Sequence, residues 1–337
     1  MDRKTPCIGI TIGDPAGIGP EIVCKSLGEA VLYEACRPVA IGSREPLERA
    51  VGVLGGGQAV RVIASPEEGV YDTKTVNLIE VPLTYAYEPG VLKTENGRIA
   101  IAYMKRSHEL LQAGAISGVA CAPSNKEAMK LAGSPYIGAT ELYAHFAGDV
   151  RTFTVVEQAG FYIFQMTTHQ SLRGALDSID ADKVEKALVQ AHTALRQWGI
   201  ERPRLALSGL NPHSGDGGSL GREEIEILAP AIERAAARIG PVDGPVPADS
   251  LYGKGLLGVY DGVVFLFHDT ANIPIKLMEM YHPSVVITGG LPFVRTTVAH
   301  GTAYDIAYKG IAGHQQMRNC ILAAARIGER IAQSAEA

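Results

Sequence analysis

Short, uniformly apolar runs alternate with helical patterns along most of this chain, and no other pattern in it leaves so few architectures open. The runs CIGITIG (7–13) and ISGVACA (116–122) have no polar face, so both sides of each strand need cover. Strands of that kind belong to a mostly parallel sheet flanked by helices. Helical spacing follows each run, over PEIVCKSLGEAVL (20–32), with Pro20 in its first turn, and over NKEAMKLA (125–132). A third helix is expected at 182–198, where Val184, Leu188, Ala191, Leu195 and Trp198 share one stripe and Gly199 is the stop. His192, beside that stripe, reads as a helix-surface or half-buried histidine. The fold class is α/β, and 337 residues suffice for two α/β lobes. The expected boundaries are 1–138 plus 305–337 for the first lobe and 139–304 for the second. The last helix, about 314–333, returns to the first.

Composition narrows the function classes. A content of 46% hydrophobic and 20% charged residues is that of a globular protein. The net charge of −5, with lysines and arginines scattered, argues against a nucleic-acid or acidic-membrane partner. No apolar run approaches the roughly 18 residues of a membrane span, and Pro6 and Asp14 interrupt the opening too soon for a signal peptide. Five cysteines (7, 24, 36, 121 and 320) form no CxxC pair and are odd in number, which fits reduced thiols in a cytoplasmic protein. Cys121, beside APSNK, is the one to test as a catalytic thiol.

Three oily segments end in histidine: FYIFQMTTH at His169, RLALSGLNPH at His213 and VVFLFH at His268. In open α/β sheets, ligands bind beyond the carboxyl ends of the strands. Three imidazoles gathered there can hold a divalent metal and leave positions open for substrate. Separations of 44 and 55 residues match no local metal signature, so each can equally be a hydrogen-bonded loop residue.

Two glycine-rich loops stand out. GDPAGIGPE (13–21) follows the first strand, but it is neither G-x-G-x-x-G nor a Walker A loop. It reads either as a tight strand-to-helix turn or as a loop whose backbone approaches a ligand. GLNPHSGDGG (209–218) reads as a mobile loop entering a helix, with Glu223 and Glu224 in its first turn and Asn211 and His213 able to face the crevice. Farther on, AHGTAYDIAYKGIA (299–312) resembles the adenine-binding loop of the β-decarboxylating dehydrogenases, the isopropylmalate and isocitrate enzymes. That resemblance makes His300, Gly301, Thr302 and Asp305 nucleotide-binding. A carboxylate at 305 would accept from the ribose 2′-hydroxyl and repel a 2′-phosphate, favouring NAD.

Nearly end to end, through GDPAGIGPEI, APSNKEAM, TTH, GLNPHSGDGG, GPVPADSLY, HDTANIPIK and GGLPFVRTTVAHGTA, the chain resembles the 4-hydroxythreonine-4-phosphate dehydrogenase family of pyridoxal phosphate biosynthesis. The resemblance implies two α/β/α lobes like those of isocitrate and isopropylmalate dehydrogenases, with a cleft between them. It implies a homodimer with the active site at the interface. His169, His213 and His268 match metal ligands, one of them from the partner subunit, for zinc, magnesium, cobalt or manganese. The implied reaction is NAD-linked oxidation of a secondary alcohol of a small acidic substrate to a β-keto acid, with the metal as Lewis acid and favouring loss of CO₂. Thr140, Lys276 and Arg295 match substrate-binding positions. Asp249 can relay a proton or cap a loop, and Lys126 can form a polar wall.

The departures concern substrate. The family reads G-H-T-E where this chain has Gly138-Ala139-Thr140-Glu141, Asn where Val286 stands, HDQG where HDTA stands, and Asp at Ala299. Lost hydrogen-bonding groups change discrimination between substrates strongly. The family's substrate is 4-phosphohydroxy-L-threonine, and phosphorylated four-carbon sugar acids and carboxylated cyclohexadiene diols are the alternatives. Readings of another class are a three-histidine hydrolase using Asp269 as base, a non-catalytic ligand-binding relative, and a phosphate acyltransferase. Nucleotide binding, oxidation of a hydroxy acid and coenzyme A exchange separate them.

Overall fold

A computed structural model describes residues 5–336. Their strands are β1 (Cys7–Thr11), β2 (Arg37–Gly42), β3 (Ala59–Val62), β4 (Thr75–Glu80), β5 (Gly118–Cys121), β6 (Phe153–Gln158), β7 (Phe161–Gln165), β8 (Leu205–Ser208), β9 (Val242–Val246), β10 (Gly262–Phe265), β11 (Val285–Gly289) and β12 (Val294–Thr297). The fold is α/β, as the oily runs require. The chain forms two units, Met1–Phe153 with Val285–Ala337, and Thr154–Ser284. Segments 139–153 and 285–304, expected in the second lobe, therefore lie in unit 1. The reason is a long-range pairing: β12 lies parallel to β5, in the register Val294↔Gly118 to Thr297↔Cys121, which sequence periodicity does not report.

In unit 1 the strand order is β3-β4-β2-β1-β5-β12-β11, parallel except for β11 against β12. Strand β1 pairs β2 on one side and β5 on the other, so connections diverge at its carboxyl end. Such a switch point opens a crevice beyond the strands. Ile8, Ile10, Val39, Ile41 and Val119 are wholly buried, as expected for strands covered on both faces. The helix expected at 20–32 is divided: Gly19–Leu27 ends at Gly28, and a separate turn occupies Val31–Ala35. Strand 7–13 stops at Thr11 because Gly13 turns with φ +74°. The last helix is Gln315–Glu336, packed on β5 and β12.

Unit 2 orders its strands β6-β7-β10-β8-β9, with only β6 antiparallel to its neighbour. The helix Ala181–Gln197 starts at Asp180, whose side chain accepts from Lys183 N–H, and buries Val184, Leu188, Ala191 and Leu195. Trp198 caps it, buried, and Gly199 adopts φ +77° as the stop. His192 is half-buried, and burial lowers its pKa. No helix among the described residues is long and apolar enough to cross a membrane.

The loop after β1 is packed rather than open: residues 11–20 are buried throughout. A Cβ at Gly19 would lie 2.1 Å from the Ile12 carbonyl oxygen, and one at Gly17 2.7 Å from that of Thr302. Gly19→Ala is expected to cost about 2–3 kcal/mol by overpacking, and to lower Tm by roughly 5–10 °C. Thermal unfolding checks this, and an unchanged Tm would show that the loop relaxes freely.

Candidate functional site

Strands β5 and β12 end side by side, and Thr297 Oγ1 donates to the Cys121 carbonyl (3.1 Å). Beyond these ends lies a cavity of about 450 Å³, walled by the segments 121–126, 139–140 and 297–302 together with Arg295. Asn125 caps the following short helix by accepting from Ala128 N–H (2.9 Å), which sets Lys126 at the cavity wall. Thr140, in the first turn of the helix Ala139–Phe146, enters from another side.

Arg295 is 2% exposed yet reaches the cavity from within the sheet. One terminal nitrogen, Nη1, donates to Thr288 Oγ1 (2.6 Å) and Thr140 Oγ1 (3.3 Å), and the guanidinium lies 4.9 Å from the centroid of the Tyr143 ring. Its buried Nε has no hydrogen-bond partner among the described residues. A buried donor without a partner is costly, so the guanidinium keeps hydrogen-bonding capacity that the two threonines do not use. Among the described residues no aspartate or glutamate lines the cavity, and Lys126 and Arg295 are the cations in its wall. Three of the four departures fall here or beside it: Ala139 and Ala299 line the wall, and Val286 pairs across the sheet with the wall residue Thr297.

His300, Gly301 and Thr302 form one rim of the cavity. The His300 Nδ1–H donates to the Gly301 carbonyl (3.0 Å), and Thr302 is buried. Asp305 is exposed in the following 3₁₀ turn, Tyr304–Ile306, outside the lining. Cys121 lines the cavity but is 1% exposed, and all five cysteines are buried, so no thiol is presented to solvent.

In unit 2 the three histidine-bearing strands are neighbours, in the order β7-β10-β8. Gln165 is level with Phe265, so His169 and His268 follow adjacent strand ends by four and three residues. Met166 N–H donates to the Phe265 carbonyl (2.9 Å), and Thr167 Oγ1 to that of Leu266 (2.7 Å), fixing the two ends together. The imidazole centroids of His169 and His268 lie 6.0 Å apart with a 47° tilt. Asp269 Oδ1 engages His268 Nδ1 (2.7 Å), which leaves Nε2 as the outward nitrogen. A carboxylate on the far ring nitrogen is how metal-ligating histidines are commonly oriented. The pair thus suits a divalent ion, but no group of three His, Cys, Asp or Glu is assembled for one among the described residues.

His213 stands apart from the pair, exposed in a turn where five successive residues, 213–217, have φ between 43° and 81°. Left-handed backbone costs about 1–2 kcal/mol for each non-glycine residue. Glu224 offsets that cost from below: its carboxylate accepts from the backbone N–H of Leu210 (2.8 Å) and Asn211 (2.7 Å) and from Asn211 Nδ2 (2.9 Å). Burial pulls its pKa up, and these donors outweigh it, holding the carboxyl below its usual range. Glu224 stands in the first turn of the following helix, as expected, and also acts as a clamp under the histidine turn. Lys276 and Asp249 are exposed on the helices His268–Met278 and Ala248–Leu256.

The sequence reading missed Thr288 and Tyr143, which hold Arg295. Tyr143 was legible in principle, three positions after Thr140 on one helix face. Thr288 carried no local signal.

The family described as pyridoxal phosphate biosynthetic protein PdxA matches residues 34–324. A relative from Symbiobacterium thermophilum, provisionally named D-threonate 4-phosphate dehydrogenase, is 40% identical over 334 residues, 98% of each chain. Among solved structures, a 4-hydroxythreonine-4-phosphate dehydrogenase from Klebsiella pneumoniae superposes with a TM-score of 0.88 at 38% identity, covering 98% of this chain and 100% of that one. A terephthalate 1,2-cis-dihydrodiol dehydrogenase from Burkholderia xenovorans LB400 follows at 0.64 and 27%, covering 95% and 98%.

Proposed function

This chain belongs to the PdxA family of pyridoxal phosphate biosynthetic proteins, and from that premise we propose that it oxidises a phosphorylated four-carbon hydroxy acid of the D-threonate 4-phosphate kind with NAD and a divalent metal. It is a dehydrogenase acting on a CH–OH group. The observation that carries the substrate class is the charge of the unit 1 cavity: Lys126 and Arg295 line it, and no carboxylate among the described residues does. A phosphate or carboxylate is welcome there. The ammonium of an amino-acid substrate is not, since like charges a few ångströms apart cost on the order of a few kcal/mol at an effective dielectric of about 20. The relative's name supports the same class.

When bound, NAD supplies the hydride acceptor and a divalent ion supplies Lewis acidity at the alcohol oxygen. His169, His213 and His268 are the proposed ligands, with Asp269 orienting His268. Because one chain brings together only two of these rings, we assign the remaining one to the partner in a homodimer. Exposed Ile273, Leu277, Met280 and Tyr281, on and just after the helix that starts at His268, supply an apolar surface for that partner. Arg295 and Thr140 hold the phosphate, Arg295 through the donors of its guanidinium fork that the threonines leave unused. Lys276 adds a cation for the substrate carboxylate, and Asp249 takes the alcohol proton. With NAD bound as the acceptor of the carbinol hydride, removal of that proton by Asp249 would leave a β-keto acid, the product class that can lose CO₂. The 300–302 rim and Asp305 hold NAD, with Asp305 accepting from the ribose 2′-hydroxyl.

The test is NADH formation, with divalent metal present, from D-threonate 4-phosphate and from 4-phosphohydroxy-L-threonine. The hydroxy acid should give the higher kcat/KM, and a preference for the amino acid would overturn the charge argument. Ala299→Asp, which restores a carboxylate to the wall, is expected to raise the relative kcat/KM of the amino-bearing substrate about tenfold.

A further inference from the structure

Segment 300–312 has almost no structure of its own. It contains one 3₁₀ turn, and Ala303, Tyr308 and Gly310 sit at φ 42°, 55° and 73°. What holds it is the loop and helix over 14–25. The Ile18 N–H donates to the Thr302 carbonyl (2.9 Å), and Tyr308 Oη donates to that of Pro15 (2.6 Å). Asp14, 1% exposed, accepts from Tyr304 Oη (2.5 Å) on one oxygen and from Ala16 N–H (2.8 Å) on the other. Glu21, wholly buried, accepts the N–H groups of Gly310 (3.2 Å) and Ala312 (2.9 Å). Lys25 closes the arrangement, bonding Glu21 (2.9 Å) and the carbonyls of the same two residues (2.9 and 2.7 Å).

Neither carboxylate can touch a ligand. Both are buried and neither lines the cavity; this segment engages one Asp14 oxygen and both Glu21 oxygens, and Ala16 N–H engages the other Asp14 oxygen. We propose that Asp14 and Glu21 are positioning residues, holding segment 300–312 in its nucleotide-binding shape and thereby setting NAD affinity without contacting NAD. The inference rests on the proposed reading of His300, Gly301, Thr302 and Asp305 as the residues that contact NAD. It also gives GDPAGIGPE a role other than ligand binding: the motif is a mould for a loop distant in sequence.

The test compares Glu21→Gln and Tyr304→Phe with Asp305→Ala. NAD dissociation constants are measured by calorimetry, kcat at saturating NAD, and hydrogen exchange at the amides of Gly310 and Ala312. Glu21→Gln and Tyr304→Phe should each weaken NAD binding about tenfold, with kcat within about twofold of wild type. The two amides should exchange faster in Glu21→Gln. If Glu21→Gln fails to fold, Tyr304→Phe, which loses a single hydroxyl, gives the same reading. Unchanged NAD affinity in these variants, with NAD weakened in Asp305→Ala, overturns the inference alone. If Asp305→Ala and His300→Ala also leave NAD affinity unchanged, the nucleotide reading fails and this inference falls with it.

Discussion

Replacing His268 by alanine is expected to lower kcat about a thousandfold while the NAD dissociation constant stays within about twofold. The magnitude follows from the several kcal/mol that a Lewis acid contributes at a reacting oxygen, at about 1.4 kcal/mol per tenfold. The selectivity follows from the separate residues proposed for the two tasks. His268, paired with His169 at 6.0 Å and oriented by Asp269, serves the metal, whereas His300, Gly301, Thr302 and Asp305 serve NAD. Steady-state kinetics with calorimetric NAD titration checks both halves. A fall of only a few-fold would mean that His268 is a loop residue and the metal assignment is wrong.

Arg295→Leu carries the second large effect, a rise of about a hundredfold in KM for the phosphorylated substrate. A hydrogen bond to a charged group contributes about 1.5–3 kcal/mol, and each 1.4 kcal/mol is tenfold. Arg295→Lys should recover only part of the loss, because an ammonium cannot present the fork that Thr140, Thr288 and an incoming phosphate share. Leucine suits the buried position beside Tyr143, so stability should change far less than KM. A lowered Tm with unchanged KM would make Arg295 a structural strut instead.

Much of the framework was legible in the sequence because it depends on local pattern. Oily runs became strands buried on both faces, and the three histidine-ended runs became the adjacent strands β7, β10 and β8. The stripe from Val184 to Leu195 and the stop at Gly199 also appear where periodicity put them. What escaped was non-local. No pattern in GGLPFVRTT announces that β12 lies against β5, so neither the extent of unit 1 nor the burial of Arg295 at a cavity is legible there. The left-handed turn at 213–217 was hidden because only two of its five residues are glycine, and it is held by Glu224 from the next element. The loop GDPAGIGPE reads equally as a tight turn or a ligand cradle for a related reason: glycines admit any close approach, and here the group approaching Gly17 is the protein's own 302 carbonyl.

The most direct measurement strips the purified protein with a chelator and follows NADH formation from D-threonate 4-phosphate as a divalent ion is added back. Turnover should vanish on stripping and return in proportion to the metal, saturating at one ion per chain. A stripped enzyme that oxidises the substrate at the full rate would contradict the account, whatever else its histidines do.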